Sequence, residues 1–467
     1  MNQIRTFYTP GTGLPDFEMR IALGLCAAAL NSVDPEKITL VEQFDRYEVR
    51  ISTNANPSNF LASSLGWLCQ NKLADQSLLL RTPGFRPLHL DKQAVGVANF
   101  GKKLLKGLAN LEEIFSDMTE KRMGAHSSAC GHAVSKEEKI FGALLAFSPQ
   151  LGQPPKRDNA TYQITLPICP YCGAAALAGT NFFQIDISIS STNRQKKERF
   201  FFLPHFRGEI QGESLIQYLS AAKHVRGNLE DIPASSGLLS LLALHPHLIV
   251  PLEGAVDAFF VSRIDSSGNA PRFGFQVEQP AQAEIGFLKL IYNRSLVQNC
   301  YRLDDRSKLL GFLSRALQSG ESTALIDFAK SYSSATESKA LLPWSTTEFF
   351  ITEVLKMKKT LLEGDEFKVI KEVADMLQYF VRDRNFGYVD NLRKARDADE
   401  FARLLLDAQR DAQSAMLDPK KQHKPFLPGQ STIQKLLQLI NENSEQFQAI
   451  KTLIALLAFT YFKIQEA

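Results

Sequence analysis

Apolar and polar residues alternate at several places in the first three hundred positions, which is the spacing of half-buried β-strands. The clearest of these stretches are residues 4–8, 47–51, 185–189, 259–261 and 273–277. An Ala- and Leu-rich segment follows the first of them, and we expect Asp16 to be the N-cap of a helix there. This part of the chain is therefore predicted to mix strands and helices.

After Pro343 the alternation disappears, and apolar residues recur at helical spacing. Three apolar faces are Val369, Val373, Met376 and Phe380; Ile433, Leu436, Leu437 and Ile440; and Phe447, Ile450, Ile454, Leu457 and Tyr461. The longest apolar stretch, residues 449–462, contains Lys451 and is too short to span a bilayer, so we expect a buried helix. The Pro- and Lys-rich residues 418–429 are predicted to form an exposed connector, and the chain to end in a helical bundle.

The predicted fold class is α+β: a mixed α/β N-terminal region with an embedded zinc-ribbon-like knuckle, followed by an all-α C-terminal bundle. With 467 residues, of which 44% are hydrophobic, the chain can bury a sizeable core in two or three domains. We divide it into a mixed α/β part (1–125), a zinc-binding insertion (126–180), a mixed α/β part with a basic hairpin (181–342) and the helical bundle (343–467).

Charge and cysteine content narrow the functional classes. The formal net charge is only +3, so any nucleic-acid binding must come from local basic patches. Residues 1–10 show no apolar run preceded by charge, and no segment predicts a membrane span, so we expect a cytoplasmic protein. In a reducing compartment, paired thiols favour metal binding over disulfides.

The most informative motif is Cys169-Pro170-Tyr171-Cys172-Gly173, in which two thiols three residues apart form half of a tetrahedral zinc site. His126, Cys130 and His132 lie about forty residues upstream. We predict a structural zinc ion bound by Cys130, His132, Cys169 and Cys172, with sulfurs about 2.3 Å from the metal. His126 is the alternative to His132.

The Cys-x-x-Cys spacing also permits a redox motif or a chance occurrence. A thioredoxin-type motif opens a helix, however, and the local pattern here favours a different structure. Tyr162, Ile164 and Leu166 alternate toward the cysteines and predict a strand that leads into a knuckle. Residues 173–176, Gly-Ala-Ala-Ala, would allow a tight exit.

Motifs for catalysis are scarce in the sequence. It contains no Gly-x-Ser-x-Gly elbow, His-Glu-x-x-His pair or Walker loop, and its carboxylates are unclustered. The glycine turn at residues 10–16 lacks the third glycine and the Lys-Ser/Thr of phosphate-binding loops. A metal-dependent hydrolase remains an alternative, but it would need a water in one zinc position, and a full set of four protein ligands argues against it.

Basic clusters are the candidate nucleic-acid contacts. Arg194, Lys196, Lys197 and Arg199 precede the aromatic run Phe200-Phe201-Phe202 and follow a predicted strand, which indicates a hairpin with a cationic tip. Further candidates are Arg81 and Arg86 around a Pro-Gly-Phe turn, Lys102 and Lys103 on a helix, and Arg393 and Lys394 in the bundle. A solvated surface loop or a hydrated helix face would explain the first three clusters equally simply, and intrahelical ion pairing explains most of the charges around Arg393 and Lys394.

The zinc knuckle, the cationic loops and the terminal bundle together resemble the large subunit of type I CRISPR effector complexes, the Cascade family. The resemblance is architectural and covers most of the chain. Its most specific local piece is residues 379–390, Tyr-Phe-Val-Arg-Asp-Arg-Asn-Phe-Gly-Tyr-Val-Asp, followed by Leu392 and Arg393. This piece is similar to part of the C-terminal helical region in some of these subunits.

The resemblance implies a non-catalytic subunit that reads the motif flanking the target and helps to open and hold the target duplex. Its partners would be the other Cascade subunits, guide RNA, target double-stranded DNA and the helicase-nuclease recruited to the complex, with no membrane. Guide pairing then supplies most of the sequence specificity. A competing hypothesis is a zinc-stabilised protein–protein scaffold without direct nucleic-acid contact.

Overall fold

The structure is a computed structural model. It describes residues 3–75, 90–106, 110–117, 130–132, 168–190, 197–223, 225, 237–265, 272–303, 306–336, 341–357, 364–421, 423–442 and 446–461. The chain divides into two compact units, the first made of residues 1–231 and 247–279, and the second of residues 232–246 and 280–467.

The described residues of the first unit form two antiparallel sheets. One has the order β1-β3-β2-β6, with strands β1 (Gln3–Tyr8), β2 (Ile38–Glu42), β3 (Tyr47–Thr53) and β6 (Glu209–Gln211). The other has the order β4-β5-β7-β8, with strands β4 (Ile185–Ser190), β5 (Lys197–Phe206), β7 (Val256–Asp265) and β8 (Arg272–Glu278). The alternating stretches of the sequence thus form strands, and β4 and β5 form the expected hairpin.

Seven helices are described in the first unit. They are α1 (Pro15–Leu30), α2 (Pro57–Asn71), α3 (Leu90–Leu105), α4 (Leu111–Ile114), α5 (Pro170–Phe183), α6 (Gly212–Lys223) and α8 (Ile249–Gly254), together with a short 3₁₀ helix at Pro35–Lys37. Helix α1 is central: it packs along α5 and against β2, β3 and β5. Its apolar residues are buried on all sides, as expected of a helix without a solvent-facing stripe.

The start of α1 differs from the prediction. The helix begins at Pro15 with Leu14 as N-cap, so Asp16 is not the cap but a buried residue of the first turn. In the preceding glycine turn, the backbone N–H and the hydroxyl of Thr12 both donate to Glu18 Oε1, at 2.6 Å each. In a phosphate-binding loop, such donors would face the ligand. Here the Glu18 carboxylate accepts these two hydrogen bonds from Thr12.

The second unit is mostly helical. Its described helices are α7 (Gly237–Leu244), α9 (Gln282–Lys289), α10 (Ile291–Tyr301), α11 (Arg306–Ser319), α12 (Ser322–Ala335), α13 (Trp344–Phe349), which continues into a π-helix at Phe350–Val354, α14 (Asp365–Arg382), α15 (Gly387–Lys394), α16 (Ala398–Leu417), α17 (Gln430–Glu442) and α18 (Phe447–Ala458). Two short parallel strands, β9 (Leu342–Pro343) and β10 (Thr460–Tyr461), pair within it.

The α+β class and the helical C-terminal region are confirmed. The three predicted apolar faces fall on α14, α17 and α18, although Tyr461 lies beyond α18 in β10 and is exposed. Residues 280–342, which we grouped with the mixed α/β region, belong to the second unit with the C-terminal helices. Among the described helices, none has both the length and the apolar character needed to cross a membrane.

Candidate metal centre

Two of the predicted ligands stand at the start of α5. Cys169 is the N-cap of this helix, and Pro170 occupies the first helical position, where its missing N–H costs nothing. The backbone N–H of Cys172 donates to the Cys169 sulfur at 3.3 Å. The first turn of the helix therefore places both sulfurs on the same side of the helix end, where the helix dipole favours negative charge.

The other two ligands come from a tight turn at residues 130–132. Gly131 has a φ of +74°, a conformation that glycine adopts without strain. The turn brings Cys130 and His132 to α5, where His132 Nδ1 lies 3.2 Å from the Cys169 sulfur and 3.5 Å from the Cys172 sulfur. Two segments that are far apart in sequence thus meet at one point.

The four donor atoms are close enough together to share one metal ion. One atom each from Cys130, His132, Cys169 and Cys172 lie within 4.8 Å of one another. Zinc–sulfur bonds of about 2.3 Å and zinc–nitrogen bonds of about 2.0–2.1 Å would put neighbouring donors roughly 3.5–3.8 Å apart. These four residues, which we call the metal cluster, could therefore hold one metal ion.

The ring of His132 is oriented by a backbone group. Its Nε2 lies 2.8 Å from the carbonyl oxygen of Ile114, at the end of α4. A carbonyl only accepts hydrogen bonds, so Nε2 carries the proton and Nδ1 presents its lone pair to the sulfurs of Cys169 and Cys172. Such a partner on the far side of the ring is characteristic of metal-binding histidines.

The charge state of the sulfurs also fits a cation. Burial raises the pKa of the Cys169 and Cys172 thiols well above the ordinary value. The pKa of Cys130 is lowered, because the thiols of Cys169 and Cys172 donate hydrogen bonds to its sulfur. A coordinated metal ion would favour the thiolate form of all three cysteines and release their protons.

Aromatic side chains enclose the metal cluster. Phe115 packs edge-on against the His132 ring with centroids 6.4 Å apart, and Tyr171, between the two cysteines, packs edge-on against Phe100 of α3 at 5.2 Å. The backbone N–H of Tyr8 donates to the Phe115 carbonyl at 2.6 Å. The cluster is thus joined to β1, α3 and α4, and all three cysteines are buried.

The predicted knuckle has a different local structure. The Gly-Ala-Ala-Ala residues 173–176 do not form a tight exit but continue helix α5, so Cys169 and Cys172 open a helix after all. The zinc-ribbon form is therefore not confirmed. The predicted strand through Tyr162, Ile164 and Leu166, and the alternative ligand His126, lie outside the described residues.

One observation agrees with the redox hypothesis: Cys169 and Cys172 lie at the N-terminus of a helix, where redox cysteine pairs are also found. A redox pair does not require a third cysteine and a histidine beside it, however. In the described part of the chain, Cys130 and His132 converge on the pair with their donor atoms pointing at its sulfurs. This arrangement favours metal binding.

The candidate nucleic-acid residues are dispersed. Lys102 and Lys103 are exposed on α3 in the first unit, whereas Lys394 is exposed and Arg393 half-buried on α15 in the second. Lys197 and Arg199 lie in β5. Arg81, Arg86, Arg194 and Lys196 lie outside the described residues. The structure therefore places these candidates as three separate pairs, on α3, β5 and α15.

Sequence reasoning missed a set of buried charges on α1. Arg20 is fully buried and donates from Nη1 to Thr180 Oγ1 at 2.9 Å and to Gln184 Oε1 at 2.5 Å. Asp16 and Glu18 are buried in the preceding turn. The sequence did contain a signal for these buried charges. A surface helix carries many charged residues along one face, whereas this helix has only three, Asp16, Glu18 and Arg20, and is otherwise apolar.

No protein-family model matches this chain, and no curated protein shows significant sequence similarity to it. The ligand assignment therefore rests on the donor atoms of Cys130, His132, Cys169 and Cys172 and on the spacing between them.

Proposed function

We propose that this chain is a non-catalytic DNA-recognition and scaffolding subunit of an RNA-guided CRISPR antiviral complex, and that a structural zinc ion stabilises its first unit. The convergence of four protein donors in the metal cluster carries the proposal. A catalytic zinc keeps one position for water, whereas four protein ligands close a tetrahedral site. The cluster therefore supports a structural role for the metal.

The donor set favours zinc over other metals. Three thiolates and one imidazole are soft or borderline ligands, which suit zinc in a tetrahedral geometry, whereas magnesium and calcium prefer oxygen. The metal would fix the turn at residues 130–132 to the start of α5. Since α5 packs along α1, the metal would also hold the helical core of the first unit in place.

The nucleic-acid contacts would lie away from the metal. The β4–β5 hairpin carries Lys197 and Arg199 at its start and is anchored in the unit by the buried Phe200, Phe201 and Phe202. A hairpin whose sequence carries lysine and arginine is suited to phosphate contact, and a bidentate arginine can read a base edge. In this proposal the chain holds the target duplex and reads the flanking motif, while guide RNA, the other subunits and the recruited helicase-nuclease do the rest.

A second candidate is a zinc-stabilised scaffold that contacts only protein. Leu290, Ile291 and Tyr292, three consecutive residues at the start of α10, are 42%, 68% and 74% exposed. Contiguous exposed apolar side chains of this kind are typical of protein-binding surfaces. This candidate requires no role for the basic residues beyond solubility.

The decisive experiment measures target-DNA binding by the reconstituted complex. Replacing Arg194, Lys196, Lys197 and Arg199 by alanine should weaken binding and make the affinity less sensitive to salt. With fewer phosphate contacts, fewer counterions are released from the DNA on binding. Arg207→Ala is the matched control, since Arg207 is 71% exposed by side chain and follows the opposite end of β5. Unchanged affinity would remove the hairpin from the mechanism, and assembly without any DNA crosslink to this chain would favour the scaffold.

A further inference from the structure

The large apolar side chain with the greatest exposure in the described part of the chain is Phe44, which is fully exposed at the tip of the β2–β3 hairpin. The backbone N–H of Gln43 donates to the carbonyl of Arg46 at 2.8 Å and closes the turn, so Phe44 and Asp45 are its two central residues. Glycine, asparagine, aspartate, proline and serine are the usual residues of such turns. Turn formation therefore does not explain a phenylalanine at this position.

The hairpin that carries Phe44 is held on both edges. On one edge, the N–H of Tyr47 donates to Thr9 Oγ1 and the N–H of Thr9 donates to the Tyr47 carbonyl, both at 2.9 Å. On the other edge, the N–H of Glu42 donates to the Gly208 carbonyl at 2.8 Å, and the N–H of Gly208 donates to Glu42 Oε2 at 3.1 Å. A partner would therefore meet Phe44 on a hairpin that is already ordered, which lowers the entropy cost of binding.

Arg46 anchors the turn itself. Its Nη1 donates to Asp117 Oδ1 at 2.7 Å, its Nε lies 3.8 Å from Asp45 Oδ1, and its guanidinium carbon lies 5.1 Å from the centroid of the Tyr8 ring. The Arg46 side chain is only 13% exposed, whereas those of Asp45 and Asp117 are each 48% exposed. The surface beside Phe44 therefore presents carboxylates, while the cation between them is largely covered.

Acidic groups outnumber basic ones at this end of the sheet. Among the described residues of the turn and of the segments that contact the hairpin, the carboxylates are Glu42, Asp45, Glu48, Asp117, Glu209 and Asp257. The guanidiniums are Arg46, Arg50 and Arg207, and each of them pairs with one or more of these carboxylates. His205 Nε2 lies 3.2 Å from Glu42 Oε1 and can offset one further charge at most. The charge around Phe44 is therefore negative.

We infer that Phe44 is the anchor of a docking site for a partner protein that offers an apolar pocket bordered by lysine or arginine side chains. An aromatic anchor surrounded by a polar rim is the usual anatomy of a protein interface. The negative rim selects the partner, because opposite charges across a rim speed association and like charges prevent it. The phosphates of a nucleic acid or of an anionic lipid surface have the same sign as Asp45 and Asp117, and so does a second copy of this face.

The position of Phe44 distinguishes it from an ordinary exposed apolar residue. Single apolar side chains are common on protein surfaces and need no explanation. Phe44, however, stands at the tip of a braced turn, where the whole ring can enter a pocket of the partner. The site is separate from the metal cluster and from the β4–β5 hairpin, so it goes beyond the proposed function and would serve a scaffold equally well.

The test begins with the photoreactive amino acid p-benzoylphenylalanine in place of Phe44, in the full-length chain and in the cells that naturally express it. Irradiation should join this position to one partner protein, which mass spectrometry identifies. The same amino acid in place of Ile4 is the control, because Ile4 is 68% exposed on β1 at the opposite end of the same sheet. That position should not crosslink to the same protein.

The crosslinked protein is then purified, and its binding to the full-length chain is measured by surface plasmon resonance. Phe44→Ala should weaken the affinity by a factor of about 30 or more, the size expected of an interface hot spot. Asp45→Lys should slow association and make it less sensitive to salt, because it reverses a rim charge. Ile4→Ala should leave the affinity unchanged. Phe44→Ala should also keep the wild-type melting temperature, since the side chain that it removes is fully exposed.

Four results would overturn the docking site. They are a crosslink from position 44 to nucleic acid or to a second copy of the chain, no crosslink at all, equal crosslinking of the partner from position 4, and an affinity that Phe44→Ala leaves unchanged. None of them would bear on the proposed function, which is judged by target-DNA binding of the assembled complex.

Discussion

Gly24 of α1 lies directly against the backbone carbonyl of Ala175 in α5. A Cβ atom placed on Gly24 would be 1.8 Å from the Ala175 oxygen, a distance that real Cβ atoms do not reach. The same approach recurs one turn away, where a Cβ on Gly179 would be 2.0 Å from the carbonyl oxygen of Arg20. The two helices pack backbone to backbone, and this contact positions the helix that carries Cys169 and Cys172.

We expect Gly24→Ala to destabilise the protein by about 3 kcal/mol, because the obstacle is backbone and the helices must separate to admit the methyl group. Gly254→Ala is the matched control, since a Cβ there meets nothing within 4 Å. The control should change the free energy of unfolding by no more than about 0.5 kcal/mol. Urea unfolding of both variants provides the measurement, and equal midpoints would refute the close helix contact.

Removal of one metal ligand should abolish metal binding. Cys172→Ala takes one of four donors from the metal cluster, so we expect elemental analysis to find one equivalent of zinc in the purified wild type and none in the purified variant. Cys26→Ala is the control, because Cys26 is a buried thiol of α1 outside the cluster. A chelator should lower the melting temperature of the wild type and the control but not of Cys172→Ala. Retention of zinc by Cys172→Ala would contradict the ligand set.

The tautomer of His132 is a separate prediction. Nε2 donates to the Ile114 carbonyl at 2.8 Å, so the zinc-loaded protein should show a protonated Nε2 and a metal-bound Nδ1. Long-range ¹H–¹⁵N NMR spectra distinguish the two ring nitrogens by chemical shift. A metal-bound Nε2 would mean that the ring is turned around and that the Ile114 contact is broken.

That Cys130, His132, Cys169 and Cys172 come together could be predicted from sequence, because their residue types and their spacing within each of two short segments are those of a metal site. The element that carries Cys169 and Cys172 was predicted wrongly, although the helix signals were present. Pro170 suits the first position of a helix, and the alanines that follow Gly173 are the strongest helix formers. Gly173 is typical of turns, but here it lies within the first turns of the helix.

The supporting contacts could not be predicted. The Ile114 carbonyl, the approach of Gly24 to Ala175 and the burial of Arg20 depend on elements that are far apart in sequence and meet only in the folded unit. Surface cations carry no periodic signal, so sequence alone could not decide which basic clusters lie together.

Arg20 ties α1 to the C-terminal end of α5. Burial lowers the pKa of its guanidinium to about 10, an effect opposed by the nearby Asp16. We expect Arg20→Ala to reduce the free energy of unfolding by about 3–5 kcal/mol, because it removes the two buried hydrogen bonds from Nη1 and opens a cavity. Arg20→Met keeps most of the side-chain volume and should recover part of the lost stability.

Arg5→Ala in β1 is the control. The Arg5 side chain is 48% exposed, so this variant should change the free energy of unfolding by less than about 1 kcal/mol. Similar losses for Arg20→Ala and Arg5→Ala would contradict this role.

Glu18 should make stability depend on pH in the direction opposite to that of most carboxylates. Burial raises its pKa above the ordinary value of 4.5, although hydrogen bonds from Thr12 and Thr9 partly oppose this shift. The folded state therefore holds this proton more tightly than the unfolded state. Stability from this group is fully present below pH 4.5 and is lost as the pH rises from there through the folded-state pKa.

Glu18→Gln isolates this effect, because the amide oxygen can still accept the two hydrogen bonds from Thr12 while the titration is removed. Below pH 4.5 the variant and the wild type should unfold with similar free energies. At neutral pH the variant should be more stable, by about 1.4 kcal/mol for each unit by which the pKa is raised. Other carboxylates titrate equally in both proteins, so the difference between two urea-unfolding series over pH reports Glu18 alone. A difference that stays constant from acidic to neutral pH would show that Glu18 is not desolvated in the folded protein, and a difference of the opposite sign would show that its charge is stabilised there.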